Sequence, residues 1–377
     1  MADPSWEIVY PRGVAGREGT ARLRRYLMPV LVPASWAYYG VSGAVRAART
    51  AAAPAPLARA MKVVSVGNLE AGGSGKTPLA MELVSRVAAD AGRPVYVSRG
   101  YGSEAARLDV VTVVGPDSDE RFSAPPGRGA RFVHRDHPGL AGIVGDEGAM
   151  AAAQLPGVPL LFCRDKAAAL EAAAWLFDPT HAIMDDAFQS WGVPRDVDIV
   201  VVDGARPFGS GWLLPAGTLR EPPEALERAD LVGAGGIECA DDLERLRREI
   251  ADKAGVDRPL FGFRRRIELG TDVREGAVAV LSGIGRPEVF ESQVADAGAN
   301  IAVAFRYPDH YCYRRSDIEW IVGEAQRRGA GVILTTAKDW VKVVGLEPPP
   351  GRFDTVRLSL ELFGDGVLDE VTKKAAN

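Results

Sequence analysis

The chain has 377 residues, 47% hydrophobic and 25% charged, a length that calls for two domains and a composition that excludes a disordered polypeptide. With 45 Lys and Arg against 50 Asp and Glu the net charge is −5, which supplies no global drive toward nucleic acid, and no nucleic-acid partner is expected. Only 3 Cys are present, none in a Cys-x-x-Cys pair; a disulfide framework and a structural zinc site are not expected, and a reducing compartment fits.

Residues 1–19 mix Asp3, Glu7, Arg12, Arg17 and Glu18 with Pro and Gly and hold no apolar h-region, so no secretory signal is expected. The first apolar run, Tyr26 to about Val45, approaches the ~20 residues of a bilayer-spanning helix. Pro29, Pro33, Gly40 and Gly43 interrupt it. Trp36, Tyr38 and Tyr39 suit a lipid interface, and the arginines on either side, among them Arg25 and Arg46, suit anionic head groups. Two readings fit this run: a helix buried against the core, or a segment lying on a membrane surface.

Residues 50–60 are rich in Ala and Pro and read as a linker. Beyond them, short β-branched runs predict strands at Lys62–Gly67, Val95–Val97, Leu160–Phe162, Ala182–Met184 and Ile199–Val202. Helical spacing of Leu79, Leu83, Val84 and Val87 predicts a helix over Thr77–Ala89, and an Ala-rich helix is predicted over Lys166–Phe177. Such alternation points to a parallel sheet covered on both faces. Residues 103–137, with Gly115-Pro116 and Pro125-Pro126-Gly127, break the rhythm and predict a surface excursion with a hairpin around Val110–Val114. A second α/β unit begins near residue 258, with strands at Val278–Leu281, Ile301–Phe305 and Val332–Leu334 and helices over Arg286–Ala297 and Ser316–Arg328.

The strongest chemical signal is Gly72-Gly73-Ser74-Gly75-Lys76-Thr77, set between a predicted strand and a predicted helix. Glycines let backbone N–H groups close around phosphate oxygens, and the helix N-terminus adds partial positive charge. Lys76 would reach the β- and γ-phosphates of ATP, and the Thr77 hydroxyl would ligate Mg²⁺. The strict pattern has Gly where Glu70 stands, so this is a variant P-loop. The fold class is therefore α/β, a P-loop NTPase-like parallel sheet with helices on both faces, plus a smaller C-terminal α/β domain.

Asp185-Asp186 follows the run Ala182-Ile183-Met184 and so sits at the end of a strand, the edge that lines the ligand crevice in a doubly wound sheet. Alone, such a pair reads as an Asx-turn; beside a P-loop it reads as a Mg²⁺ site. Asp146 and Glu147 follow Gly145, and His310 follows Tyr307-Pro308-Asp309. A hydroxyl that attacks phosphorus must lose its proton, and a carboxylate or imidazole commonly accepts it.

Together these motifs resemble the tetraacyldisaccharide 4′-kinase (lipid A 4′-kinase) family. The resemblance runs from about residue 60 to about residue 345 and includes Ser98-Arg99-Gly100-Tyr101-Gly102, Val144-Gly145-Asp146-Glu147, Arg164-Asp165-Lys166 and Asp185-Asp186-Ala187-Phe188-Gln189. It continues through Leu214-Pro215-Ala216-Gly217-Thr218-Leu219-Arg220-Glu221-Pro222, Gly283-Ile284-Gly285-Arg286-Pro287, Tyr307-Pro308-Asp309-His310 and Lys338-Asp339-Trp340-Val341-Lys342.

The resemblance implies phosphorylation by Mg-ATP of the 4′-hydroxyl of a tetraacylated glucosamine disaccharide 1-phosphate, at the cytoplasmic face of the bacterial inner membrane. It implies a membrane-associating segment at 1–50, a P-loop kinase domain at 51–257, and a smaller α/β domain at 258–377 that closes the active-site cleft. It further implies that Lys76, with Gly72, Gly73, Ser74, Gly75, Thr77 and Arg220, binds the nucleotide. Thr77, Asp185, Asp186, Glu147 and Glu221 lie on the metal side, and Asp146 with His310 forms an acid–base dyad. The partners implied are ATP, the lipid disaccharide and a membrane surface contacted peripherally through the N-terminal segment.

Four positions depart from the family pattern: Ala187 and Ser190 stand where it has Gly and His, Gly148 where it has Pro, and Ala337 where it has Glu. Two other functional classes share parts of the pattern. A P-loop switch ATPase of the partitioning or metal-insertion type has a similar loop, but usually with Lys where Ala71 stands and with no counterpart to Asp309-His310. A catalytically weak nucleotide-binding protein at a membrane surface fits the Ser190 and Ala337 departures.

Overall fold

The computed structural model describes residues 5–10, 18–51, 61–72, 75–115, 129–269, 273, 276–364 and 366–372. The chain divides into two units, Leu23–Arg264 with Leu360–Asn377, and Met1–Arg22 with Arg265–Ser359. The expected division is 1–50, 51–257 and 258–377, with the two α/β domains parting at 257/258. Here the cut falls at 264/265, and the C-terminal residues return to the larger unit.

In the larger unit the run that leads into the P-loop is strand β2 (Lys62–Asn68), which lies parallel to β7 (His181–Asp185) on one side and β8 (Val197–Asp203) on the other. Outward from β7 follow β3 (Pro94–Ser98), β6 (Leu160–Phe162), β4 (Val111–Gly115) and β5 (Ala130–His134). Outward from β8 follow β9 (Leu231–Gly235), β10 (Leu260–Glu268) and β15 (Arg357–Phe363). Val63, Val64, Val66 and Ile199 are all buried. A strand covered on both faces has no polar side to show, which is why these runs are mostly apolar.

Helix α2 (Lys76–Ala89) turns Leu79, Leu83, Val84 and Val87 into the core, as their spacing requires. Helix α5 (Lys166–Phe177) starts at an N-cap, Asp165, whose carboxylate accepts from the N–H groups of Ala167 and Ala168. Its alanines pack with Val95, Val97, Leu161 and Met184. Leu246 and Ile250 of α6 (Ala240–Ala254) join a separate cluster with Val200 and Val232.

The excursion expected over 103–137 is corrected in part. Val111–Gly115 pairs parallel with Ala130–His134 and antiparallel with β6, so both segments are sheet strands. Parallel neighbours cannot be joined by a tight hairpin, and the buried Val111, Val113 and Val114 anchor β4 in the core. Residues 116–128 lie outside the described ones, as do most of the expected linker residues.

The apolar run at Tyr26–Val45 lies within α1 (Glu18–Ala51), a 34-residue helix that continues through Pro29 and Pro33. No described helix is long and apolar enough to cross a membrane. Tyr26, Val30, Trp36 and Val41 on α1 are exposed, while Ser35 is buried.

In the smaller unit β11 (Ala277–Ser282) lies between β12 (Asn300–Arg306) and β13 (Val332–Thr335), with β14 (Phe353–Thr355) outside β13. Helices α7 (Pro287–Asp296) and α8 (Arg315–Arg327) match the predicted ones within a residue or two. The far edge is β1 (Glu7–Val9), paired parallel to β12. Trp6 Nε1 donates to Glu291 at 3.0 Å, and Arg328 pairs with Glu7 at 2.8 Å. Residues 5–10 thus belong to this sheet and not to the N-terminal segment in which they were expected.

Gly67 lets β2 pass close to the turn after β7. A Cβ there would lie 2.5 Å from both the Cβ and the backbone nitrogen of Phe188. Gly67→Ala is expected to cost about 1–3 kcal/mol by overpacking, read as a lower urea midpoint; an unchanged midpoint would contradict this packing.

Candidate active site

The site of the larger unit grows from the C-terminal ends of β2 and β7. After β2 the chain enters the P-loop, where Gly72 has φ 145° and Gly75 has φ 95°, values that side chains with a Cβ rarely adopt. Gly73 and Ser74 lie outside the described residues. Lys76 opens α2, and its Nζ lies 3.4 Å from Gly72 O and 3.7 Å from Asp186 Oδ1.

Thr77 is buried, and its hydroxyl donates to Asp185 Oδ2 at 2.8 Å and lies 3.5 Å from Glu147 Oε2. Tyr96 OH donates to the same Asp185 oxygen at 2.7 Å, while Asp186 N donates to Oδ1 at 2.9 Å. Burial pushes the Asp185 carboxyl above the usual carboxylate range, against the Tyr96 hydrogen bond and the Lys76 charge. Burial, with Asp185 second, also raises the Tyr96 phenol.

Asp186 has φ 48°, a left-handed conformation. The turn is clamped from beneath by Lys166, whose Nζ donates to Asp185 O at 2.7 Å and also to Asp186 O. Burial draws Lys166 down to about 8, although Asp186 and Asp185 favour its charge. The Asp186 carboxylate accepts from Arg220 NH1 at 2.8 Å. Burial works to raise its pKa, but Lys76, then Arg220 and Lys166, outweigh this and hold it below the usual range.

The chain of polar contacts continues. Arg220 NH1 lies 3.4 Å from Gln189 Oε1, Gln189 Nε2 donates to Glu221 Oε1 at 3.0 Å, and Arg228 pairs with Glu221 at 2.9 Å. The five expected metal-side residues therefore divide. Thr77, Asp185 and Glu147 converge, whereas Asp186 and Glu221 are engaged by cationic side chains.

Hard oxygen donors suit Mg²⁺, which takes one or two carboxylates and completes its shell with water and phosphate oxygens. The Thr77 hydroxyl with Asp185 and Glu147 fits that requirement. Among the described residues no group of three or more His, Cys, Asp and Glu side chains is arranged to hold a metal by itself.

Asp146 and Glu147 open α4 (Asp146–Gln154) behind Gly145, whose φ is 85°. The Gly148 departure has a steric counterpart: a Cβ there would meet Phe162 Cε1 at 2.7 Å. Around Ala187 and Ser190, Arg195 donates to the carbonyls of both residues. Nothing in the structure explains Ala337.

His310 lies in the smaller unit after β12, with φ 61°. Lys338 Nζ is 2.9 Å from Asp309 Oδ1 and 3.5 Å from His310 Nε2. Asp146 and His310 thus belong to different units, and each is placed within its own.

Reasoning from sequence missed the parts played by Tyr96, Lys166, Gln189 and Lys338. Lys166 carried a signal, a lysine at the first position of an Ala-rich helix, but its burial depends on tertiary packing.

A family model described as tetraacyldisaccharide-1-P 4′-kinase matches residues 27–376. The chain belongs to that family. The tetraacyldisaccharide 4′-kinase of Anaeromyxobacter dehalogenans (strain 2CP-C) is 36% identical over 329 residues, 83% of this chain and 82% of the relative. That of Syntrophus aciditrophicus (strain SB) is 34% identical over 307 residues, 76% of each. Among solved structures, LpxK from Aquifex aeolicus in complex with ATP aligns with a TM-score of 0.66 over 93% of this chain and 98% of that one. At 23% identity that likeness is one of fold.

Lys166→Met is expected to cost about 2–3 kcal/mol, because one buried and one part-buried carbonyl lose a charged donor. The measurement is the urea unfolding midpoint together with ATP affinity; both unchanged would remove Lys166 from the support of the aspartate turn.

Proposed function

We propose that this chain transfers the γ-phosphoryl group of Mg-ATP to the 4′-hydroxyl of a tetraacylated glucosamine disaccharide 1-phosphate, the step expected of a lipid A 4′-kinase. The observation that carries the reading is the Thr77 hydroxyl on Asp185 at 2.8 Å, beside Lys76 and the Asp186–Arg220 pair. Membership in the kinase family supplies the acceptor.

Phosphoryl transfer asks a protein mainly for positioning and charge stabilisation. The P-loop N–H groups and the N-terminus of α2 bind the phosphates, and Lys76 and Arg220 offset charge on the transferring group. Thr77, Asp185 and Glu147 would hold Mg²⁺, which supplies charge neutralisation on the phosphate oxygens. Asp186 orients Lys76 and Arg220, and Glu221 holds the segment that bears Arg220. Asp146 and His310 serve as the acid–base dyad that takes the proton of the attacking hydroxyl. The exposed Tyr26, Val30, Trp36 and Val41 of α1 support a peripheral association with the cytoplasmic face of the inner membrane.

Two expectations test the reading, both with labelled ATP and lipid acceptor in mixed micelles. Lys76→Ala should lower transfer by at least about 10²-fold; near-normal turnover would end the P-loop assignment. Asp146→Ala and His310→Ala should each lower kcat by about 10²–10⁴-fold, and the double variant should lose no more than the worse single one. Losses that multiply, or a parallel loss of ATP affinity, would separate the two residues.

A further inference from the structure

Helix α1 is built into the larger unit through two of its polar side chains. Ser35 is 5% exposed; its hydroxyl proton is shared between the carbonyls of Leu31 and Leu213, 3.0 Å each, and its oxygen accepts from Ala216 N at 3.1 Å. About three turns on, Arg46 NH1 stands 3.5 Å from Glu221 Oε2. Both contacts land on one segment, residues 213–222, which also carries Arg220.

That segment is laced to the entrance of the P-loop. Arg220 N donates to Leu69 O at 2.6 Å, and Ala71 N donates to Thr218 O at 2.7 Å. Thr218 Oγ1 donates to Glu70 Oε1 at 2.6 Å. Glu70, the residue that departs from the P-loop pattern, is thus the acceptor of a tie between the loop and the segment.

The electrostatics run the same way. Glu221 is buried, and a buried carboxylate needs its charge and its lone pairs matched. Arg46, Arg228 and Gln189 meet that need. The amide of Gln189 that donates to Glu221 leaves its oxygen turned toward Arg220. Arg46 is thus one of two cations on the Glu221 carboxylate, which connects through Gln189 to Arg220.

We propose that Ser35 and Arg46 are positioning residues for Arg220, so that docking of α1 on the 213–222 segment sets the geometry of the phosphate site. Each acts through the segment it contacts. The kinetic arm of the test rests on the kinase reading, and the exchange arm stands without it.

The exchange arm uses the full chain, with hydrogen exchange read on peptides covering 61–72, 197–203 and 213–222. Ser35→Ala and Arg46→Ala should each speed exchange at Arg220 N and Ala71 N by about tenfold, with β8 unchanged, the mark of a local opening. In the kinetic arm, Arg46→Ala should lower kcat about tenfold with KM for ATP within ~twofold, and Arg46→Lys should restore most of it. Unchanged exchange in both alanine variants would overturn the proposal, as would faster exchange that reaches β8 equally. A wild-type chain that labels no acceptor would count against the kinase reading, while the exchange result still decides the positioning.

Discussion

The hydrogen bond from Thr77 to Asp185 is the constraint on which the site depends. It joins the first turn of α2 to the last residue of β7, so the P-loop and the aspartate turn cannot move independently. A buried carboxylate with too few donors is costly. Asp185 therefore recruits Tyr96 from β3 and its own following N–H. Three elements of the site, β3, α2 and the turn after β7, meet on this one group.

From that anchor, charge alternates outward. Asp186 faces Lys76 and Arg220, Gln189 relays to Glu221, and Glu221 meets Arg228 and Arg46. Glu221 is buried and the other members are partly so, and pairs of this kind repay little more than the cost of desolvating them. In the proposed reaction their value is that cations would stand in place before a phosphate arrives, the preorganisation that electrostatic catalysis exploits. Asp186 and Glu221 thus fit better as holders of arginine than as metal donors.

Much of this was legible in the sequence. Strands β2, β7 and β8 are apolar on both faces, and a run of that kind followed by a glycine-rich loop and a helix has few other interpretations. The aspartate pair was found because it ends such a strand. Other features depend on pairing between residues far apart in the chain. Strand β5 has three partly buried residues in a row, and β1 spans three residues at a sheet edge; neither carries a periodic pattern long enough to read. Lys166 reads as an exposed helix residue until packing buries it. Glu70 looked like a defect in the loop because its partner, Thr218, lies 148 positions away. Helix α1 was legible as an apolar run, but the buried Ser35 within it reports a docking surface that hydropathy does not show.

The identity of the acceptor atom separates 4′-phosphorylation from any other fate of the γ-phosphoryl group. The most direct measurement is phosphorus NMR of the lipid recovered after the full chain, Mg²⁺ and γ-labelled ATP meet a tetraacylated glucosamine disaccharide 1-phosphate in mixed micelles. A second phosphomonoester, coupled to the proton on C4′ and carrying the label, is expected. Label found only in inorganic phosphate, or a product phosphorylated at another hydroxyl, would contradict it.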